Sequence, residues 1–303
     1  MVYTTSMSSP YSPDPNWSTR QVYDYPPAPV EIFPPVRPMP RQRLWVHILL
    51  FVLTVFSTVF VGGVSFSAGL LSILLAHEFG HYFAAKYYKV PASLPYFIPF
   101  PISLFGTLGA VIRMSPRIPH RRALFDIAAA GPLAGLILAI PLTYVGILFS
   151  QLIPKSAMRG GLITLGDPLL FHGLSWLAHG SLGQDMDVLL HPLAFAGWAG
   201  MFVTALNLLP IGQLDGGHIV HSLFGMRSRQ VAFSMFGGLA LYSVVAHKFT
   251  WLPLLILLLV IGIQHPRSHD DGLPLGRGRF YLGILLAVIF VTCFSLDPLQ
   301  IRP

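Results

Sequence analysis

The sequence predicts an all-α polytopic membrane protein of about six to seven transmembrane helices, with a small re-entrant or β element between the second and third spans. Hydrophobic residues make up 53% of the 303 residues and charged residues only 10%, against about 25% charged residues in an average soluble domain. Long apolar runs recur from residue 44 to residue 296. So few charges cannot cover a soluble protein of this size, which excludes soluble enzymes and nucleic-acid-binding proteins.

The composition divides the chain into three parts. Residues 1–42 contain ten of the 27 prolines and show no apolar periodicity, so we expect a disordered, Pro-rich cytoplasmic tail. Residues 43–225 are predicted to form the membrane-embedded core. Residues 226–303 are predicted to form further transmembrane helices and a C-terminal tail.

The predicted spans are apolar segments close to the roughly 20 residues that a transmembrane helix needs. The last three are short or closely spaced, which leaves the count at six to seven. The segments are 44–65, 66–88, 123–149, 191–213, 231–247, 249–264 and 280–296.

The distribution of basic residues predicts the orientation. If the N-terminal tail is cytoplasmic, fifteen of the 19 Lys and Arg residues fall on the cytoplasmic side. This bias agrees with the positive-inside rule. We therefore expect the N-terminus to be cytoplasmic.

The segment 91–117 is apolar but is not expected to be a regular helix. Four prolines between residues 91 and 101 disfavour a helix, and the stretch Gly106–Met114 (GTLGAVIRM) looks extended. We expect a re-entrant or interfacial loop followed by a short strand. Irregular backbone at membrane depth persists only where it packs in protein or lines a wet cavity, so a water-accessible pocket is expected nearby.

The strongest chemical motif is His77-Glu78-Phe79-Gly80-His81, which lies within a predicted span. Its two histidines are one helical turn apart and project from one face, where they can bind one Zn²⁺. Glu78 points about a quarter-turn away, toward a water on the metal rather than toward the metal itself. Because ionisable groups inside a membrane are costly, the motif indicates a functional site.

A third ligand must come from elsewhere in the chain. No glutamate follows Glu78, and Tyr87 stands where an extended HExxHxxGxxH motif would need histidine. The segment 207–218 (NLLPIGQLDGGH) offers Asp215, at a similar predicted depth on the same side. His218 and His221 remain competing ligands, although a carboxylate would better reduce the charge of a buried dication.

The segment 207–218 also contains a buried amide, and Asp215 has an alternative partner. Asn207, a buried amide, could hold substrate or a developing oxyanion. The alternative for Asp215 is an ion pair with Arg227.

Gly131 and Gly135 form a GxxxG motif, which is typical of close helix packing and requires no catalytic role. Asp126 is expected to pair locally with Arg121 and Arg122 at the start of its helix.

The two main motifs resemble the signatures of the site-2 protease family of intramembrane zinc metalloproteases. The stretches GTLGAVIRM and GPLAG (131–135) also resemble that family, and the likeness covers most of residues 66–225. It is greater to the prokaryotic and chloroplast branches, and the stretch 150–190 is too short for the PDZ domain of many relatives. The resemblance implies that His77, His81 and Asp215 bind one Zn²⁺, that Glu78 is the catalytic base, and that Asn207 contacts substrate or intermediate.

These observations predict an intramembrane zinc metalloendopeptidase that cleaves in or near transmembrane segments of other proteins, in regulated intramembrane proteolysis. The strand with Gly106 and Gly109 is expected to hold the unwound substrate by strand addition. The expected partners are a transmembrane protein substrate and the lipid bilayer, and no nucleic acid is expected. The sequence does not determine whether the protein forms a homo-oligomer. We expect a multi-pass protein of a prokaryotic cell membrane, with its active site toward the cytoplasm. The alternatives are a non-catalytic zinc-binding scaffold and a metal-ion transporter.

Overall fold

The computed structural model describes residues 42–116, 118–157, 163–183, 185–263 and 274–301. Apart from Gln42, the predicted tail lies outside the described residues.

The first helical element, α1, runs from Leu44 to Tyr87 and is broken at Gly63, whose φ of 80° and ψ of 178° are not helical. We call residues 44–62 the first arm and residues 64–87 the second arm. Glycine adopts a positive φ without the steric penalty of a Cβ. The two predicted spans 44–65 and 66–88 are therefore two helical arms, and the break lies slightly earlier than expected.

Hydrogen bonds show that the two arms fold back on each other. The hydroxyls of Thr58 and Ser67 lie 2.7 Å apart, whereas nine residues of straight helix would separate them by about 13 Å. Gln42, before the first arm, donates to the carbonyl of Ala92, beyond the second arm, at 3.3 Å. The arms form an antiparallel hairpin whose open end holds both termini of α1.

A short antiparallel hairpin follows α1. Strand β1 (Tyr96–Pro99) pairs with β2 (Thr107–Val111). The predicted strand within Gly106–Met114 is present, but the expectation of irregular backbone before it is wrong at β1. Pro95 precedes β1 and Pro99 ends it, and at strand margins a missing N–H disrupts little of the ladder.

The core is formed by α1 together with α2 (Arg121–Leu148) and α4 (Pro192–Asn207), which pack against one another. The predicted span 191–213 ends early, at Asn207, and a turn then leads to the short helix α5 (Asp215–Phe224). The buried apolar side chains at the centre of this core include Phe66, Leu70, Ile73, Leu136, Trp198 and Met201.

The stretch between α2 and α4 forms small elements. Strand β3 (Gln151–Pro154) pairs with β5 (Met186–Leu189), and β4 (Ile163–Leu165) pairs with β6 (Leu299–Ile301) near the C-terminus. Helix α3 (Leu169–His179) lies between them in sequence.

The C-terminal region contains α6 (Ser228–Val245), α7 (Leu252–Ile261) and α8 (Arg277–Cys293). Helix α7 has ten residues and ends at Gly262, whose φ is 106°. Ten residues extend about 15 Å, half of the apolar thickness of a bilayer. The regular helix within the predicted span 249–264 therefore covers about half of the apolar thickness of a bilayer.

Within the described residues, two helices are long and apolar enough to cross a membrane, α1 and α2. Each arm of α1 is about 28–36 Å long, close to the thickness of a hydrocarbon core. The fold is thus mostly helical, with membrane-compatible helices and a few short strands.

Polar contacts gather several helix ends at one end of the bundle, which we call the basic end. It holds the termini of α1, the starts of α2 and α8, and the C-terminus of α5, joined by bonds such as those of Asp126 with Tyr88 and Arg279. The expected local pairing of Asp126 with Arg121 and Arg122 is wrong, because its carboxylate turns toward α8. Exposed cations of this end are Arg43, Lys86, Lys89, Arg113, Arg227, Arg229 and Arg277.

Candidate metal centre

The histidine motif lies on the second arm of α1, two turns before the helix ends at the basic end. His77, Glu78 and His81 are all buried, with 3–6% of their surface exposed. Burial of three ionisable side chains within five residues requires polar partners. The structure supplies these partners from α2, from α5 and from the end of α4.

The side chains of His77, His81 and Asp215 converge on one point. The two Nε2 atoms lie 3.1 Å apart, and Asp215 Oδ2 lies 3.4 Å from His77 Nε2 and 3.3 Å from His81 Nε2. These three residues form a group that could hold a metal ion.

The spacing fits zinc. In a tetrahedral site with bonds of about 2.0–2.1 Å, two ligand atoms are separated by about 3.3–3.4 Å. The observed separations of 3.1, 3.3 and 3.4 Å match this value. Three protein ligands also leave one position for water or substrate, as in catalytic zinc sites.

A bond from α2 orients one of the imidazoles. His81 Nδ1 lies 2.8 Å from the carbonyl oxygen of Ile127, so Nδ1 carries the proton and donates it to that carbonyl. In the neutral imidazole Nε2 then keeps its lone pair, and it faces His77 and Asp215. Metal-binding histidines commonly donate their second nitrogen to a backbone carbonyl in this way.

The loop 208–214 after α4 sets the position of Asp215. Gly212 has a φ of 57°, and its N–H donates to the carbonyl of Ile263 at 2.9 Å. A Cβ on Gly212 would overlap the carbonyl of Gly262, so only glycine fits this approach. The loop then delivers Asp215 as the first residue of α5.

Two glycines of α2 make room for the imidazoles. A Cβ on Gly131 would overlap the ring of His81, and a Cβ on Gly135 would lie 3.3 Å from the ring of His77. As expected, the GxxxG motif gives close helix packing. The surface that it packs against consists of the imidazoles of His77 and His81. Sequence reasoning missed this role, although the spacing itself was visible.

Glu78 and Asn207 border the same site. The backbone amide of Ile112, directly after β2, interacts with the Glu78 carboxylate. The side-chain amide of Asn207 lies 3.0 Å from His77 Nε2. The structure therefore brings both predicted functional residues to the three converging side chains.

The glycines predicted to bind substrate occupy different positions. Gly106 lies in the turn before β2 and not within the strand, and a Cβ there would approach the backbone of Ser57 and Thr58 to 2.8 Å. Gly106 thus packs the turn against the first arm, and its role in strand addition stays a prediction. Gly109, with a φ of 96°, lies within β2 and has open space beside it.

The competing interpretations of the third ligand are not supported by the geometry. The group formed by His77, His81 and Asp215 does not contain His218 or His221. His221 Nδ1 instead lies 3.1 Å from Ser228 Oγ. Asp215 faces the two histidines, not Arg227.

Comparison with known proteins now identifies the class. Residues 65–249 match the model of peptidase family M50. The chain belongs to this family, which confirms the family predicted from the two motifs.

The chain is also similar to curated plant proteins. It is 36% identical over 242 residues to "Probable zinc metalloprotease EGY1, chloroplastic" of Oryza sativa subsp. japonica, covering 76% of this chain and 40% of the relative. It is 38% identical over 237 residues to the protein of the same name from Arabidopsis thaliana, covering 74% and 41%. The chain thus spans about two-fifths of the length of these relatives. No solved structure matches it.

Proposed function

We propose that the protein is an intramembrane zinc endopeptidase that hydrolyses peptide bonds in or near transmembrane segments of other membrane proteins. The observation that carries the proposal is the convergence of His77 Nε2, His81 Nε2 and Asp215 Oδ2 within 3.1–3.4 Å of one another. Membership of family M50 and the relatives' printed description as zinc metalloproteases support it.

In this proposal His77, His81 and Asp215 hold the zinc ion. Zinc in such a site lowers the pKa of a bound water and polarises the carbonyl that is attacked. The two nitrogen ligands and one carboxylate suit a borderline-soft cation. Ile127 holds His81 in the tautomer that binding requires, through the bond to Nδ1.

Glu78 is the general base. It follows His77 directly, so its carboxylate lies beside the metal ligands without joining them. It accepts a proton from the attacking water, and it returns a proton to the nitrogen of the leaving amine as the C–N bond breaks. The amide of Asn207, beside His77, is placed to donate to substrate or to the developing oxyanion.

The β1–β2 hairpin supplies a surface for an extended substrate. A helix hides its carbonyls in its own hydrogen bonds, so it must unwind before cleavage. One edge of β2 is paired with β1, and Ile112, next along the chain, contacts Glu78. A substrate strand added to the other edge would be guided toward the base. Gly109, within β2, has open space beside it, which leaves room for such a substrate.

We further propose six to seven spans, with the basic end toward the cytoplasm or an equivalent compartment. The exposed cations gathered at this end, among them Arg227 and Arg277, support that orientation. Single cysteines at positions 20 and 118, with Cys293 replaced, should react with an impermeant reagent only from that side. Labelling of position 118 from the opposite side would overturn the orientation. The named relatives are chloroplastic, and the predicted prokaryotic origin stays a prediction.

The experiment that tests the function is substrate trapping. The Glu78→Gln variant keeps the ligands and lacks the base, so it should retain bound membrane proteins that the wild type releases as fragments. Co-purified proteins are identified by mass spectrometry, and each is then reconstituted with wild-type and variant protein in nanodiscs. Cleavage by the wild type that a zinc chelator stops is the expected result. If zinc is bound but no trapped protein is cleaved, the non-catalytic scaffold becomes the better interpretation.

A further inference from the structure

Helix α5 delivers Asp215 to the metal centre, and its buried residue Ile219 packs in an apolar cluster with Phe125 and Ala128 of α2. Its ten residues run from Asp215 to Phe224, a length of about 15 Å. Asp215 occupies the first position, so any movement of the helix moves its carboxylate. Zinc tolerates little displacement, since ligand distances in real sites vary by only about 0.2 Å.

At its other end, where Leu223 packs on the same cluster, α5 is also hydrogen-bonded to one side chain of α2. Arg121 Nε donates to the carbonyl of Ser222 at 2.6 Å, and Arg121 Nη2 donates to the carbonyl of Leu223 at 3.2 Å. The last carbonyls of a helix have no partner within the helix, and they form the negative end of its dipole. A half-buried guanidinium with two donors in a fixed fork satisfies both requirements.

The same stretch of α2 also holds a histidine ligand. Arg121 is the first residue of α2, and Ile127, less than two turns later, accepts the bond from His81. One rigid helical segment thus contacts α5 at its C-terminus and His81 at its ring. The relative position of Asp215 and His81 therefore depends on this segment.

We propose that Arg121 is a positioning residue of the metal centre, which fixes Asp215 by holding the C-terminus of α5 against α2. This inference rests on the proposed role of Asp215 as a zinc ligand. Arg121 is not among the three converging residues. It acts through the helix.

The neighbouring Arg122 provides a matched control. Its Nε donates to the carbonyl of Pro274 at 2.9 Å in an exposed contact, and not to α5. Substitution of either arginine by alanine removes one positive charge from the same turn of α2. Only substitution of Arg121 removes the bonds to α5.

The experiment measures zinc affinity by chelator competition on purified full-length protein, together with the absorption spectrum of the Co²⁺-substituted form. Arg121→Ala should weaken zinc binding about tenfold, in the range seen when groups that support metal ligands are lost, and should alter the Co²⁺ spectrum. Arg121→Lys, which keeps the charge and a donor but not the fork, should restore part of the affinity. Arg122→Ala should match the wild type in both measurements.

Two outcomes would overturn the inference. One is equal zinc affinity and Co²⁺ spectra for Arg121→Ala and Arg122→Ala. The other is a lowered melting temperature in Arg121→Ala without any change in affinity or spectrum, which would show a purely structural role. If Arg121→Ala fails to fold, Arg121→Lys decides between the same alternatives. Full zinc occupancy in Asp215→Ala would instead refute the proposed ligand set, which separates that failure from this one.

Discussion

Gly131 lies so close to the imidazole of His81 that a Cβ built on it would overlap the ring atoms Nε2, Cε1 and Cδ2. Nε2 is the atom that faces His77 and Asp215. The absence of a side chain on α2 is therefore a condition for the geometry of the site.

We expect Gly131→Ala to abolish zinc binding in a protein that still folds. The added methyl group must displace either the ring or α2, and a displaced ligand weakens binding by more than the roughly 10–100-fold typical of supporting groups. Elemental analysis gives the zinc content of the purified variant, and circular dichroism gives its helix content.

Substitutions at two other glycines provide the comparison for this result. Gly135→Ala should lower zinc affinity less, because its Cβ would meet the His77 ring at 3.3 Å and small shifts can relieve that contact. Gly173→Ala, on α3 with open space around it, should leave zinc unchanged. A Gly131→Ala protein with as much zinc as Gly173→Ala would contradict the argument.

The base is tested by Glu78→Gln. The variant should keep its zinc, since the three ligands are untouched, while cleavage falls by about 10²–10⁴-fold, the usual contribution of a general base. Glu31→Gln, which changes the only other glutamate of the chain, serves as the control and should cleave normally. Loss of zinc from Glu78→Gln, with zinc retained in His77→Ala, would show that the two roles are assigned wrongly.

The third ligand is tested by Asp215→Ala. Because its Oδ2 lies 3.3–3.4 Å from both histidine nitrogens, its removal should leave a folded protein with little zinc. His218→Ala and His221→Ala, on the same helix, should stay near full occupancy. Zinc content and thermal stability are measured for all three variants. Full occupancy in Asp215→Ala alone would move the ligand to one of these histidines.

The sequence was sufficient to predict which side chains converge, whereas their chemical roles stay predictions. HEFGH predicts two ligands and a base by helical spacing alone. The absence of glutamate after Glu78 limits the choice of residue types for the third ligand. Asp215 does lie beside His77 and His81. These predictions depend on residue types and local periodicity, which a sequence displays directly.

The supporting contacts could not be predicted, because they join segments distant in sequence. The bonds from Arg121 to Ser222 and Leu223 link residues about a hundred positions apart. Nothing in the spacing of Gly131 shows that His81 faces it. The sequence does not predict β1, because proline disfavours regular structure in general, whereas Pro95 and Pro99 lie at the margins of this strand.

A last prediction concerns the ion pair that joins α2 to α8. Arg279 donates to both carboxylate oxygens of Asp126, from Nε at 2.8 Å and from Nη2 at 2.7 Å, and the hydroxyl of Tyr88 donates to the same carboxylate. The pair is only partly exposed, with 30% of the Arg279 side chain and 25% of the Asp126 side chain accessible. Such a bidentate ion pair is stronger than an ordinary surface ion pair.

We expect Asp126→Asn and Arg279→Gln each to lower the free energy of unfolding by about 1–3 kcal/mol, the scale of hydrogen bonds to charged groups. Because both variants break the same interaction, the double variant should cost clearly less than the two single costs added together. Denaturation in detergent micelles measures all three. Arg277→Gln, an exposed arginine on the same helix, should change stability by less than about 0.5 kcal/mol. Additive losses would show that Asp126 and Arg279 stabilise the fold independently, and α8 would then be attached to α2 mainly by its apolar face.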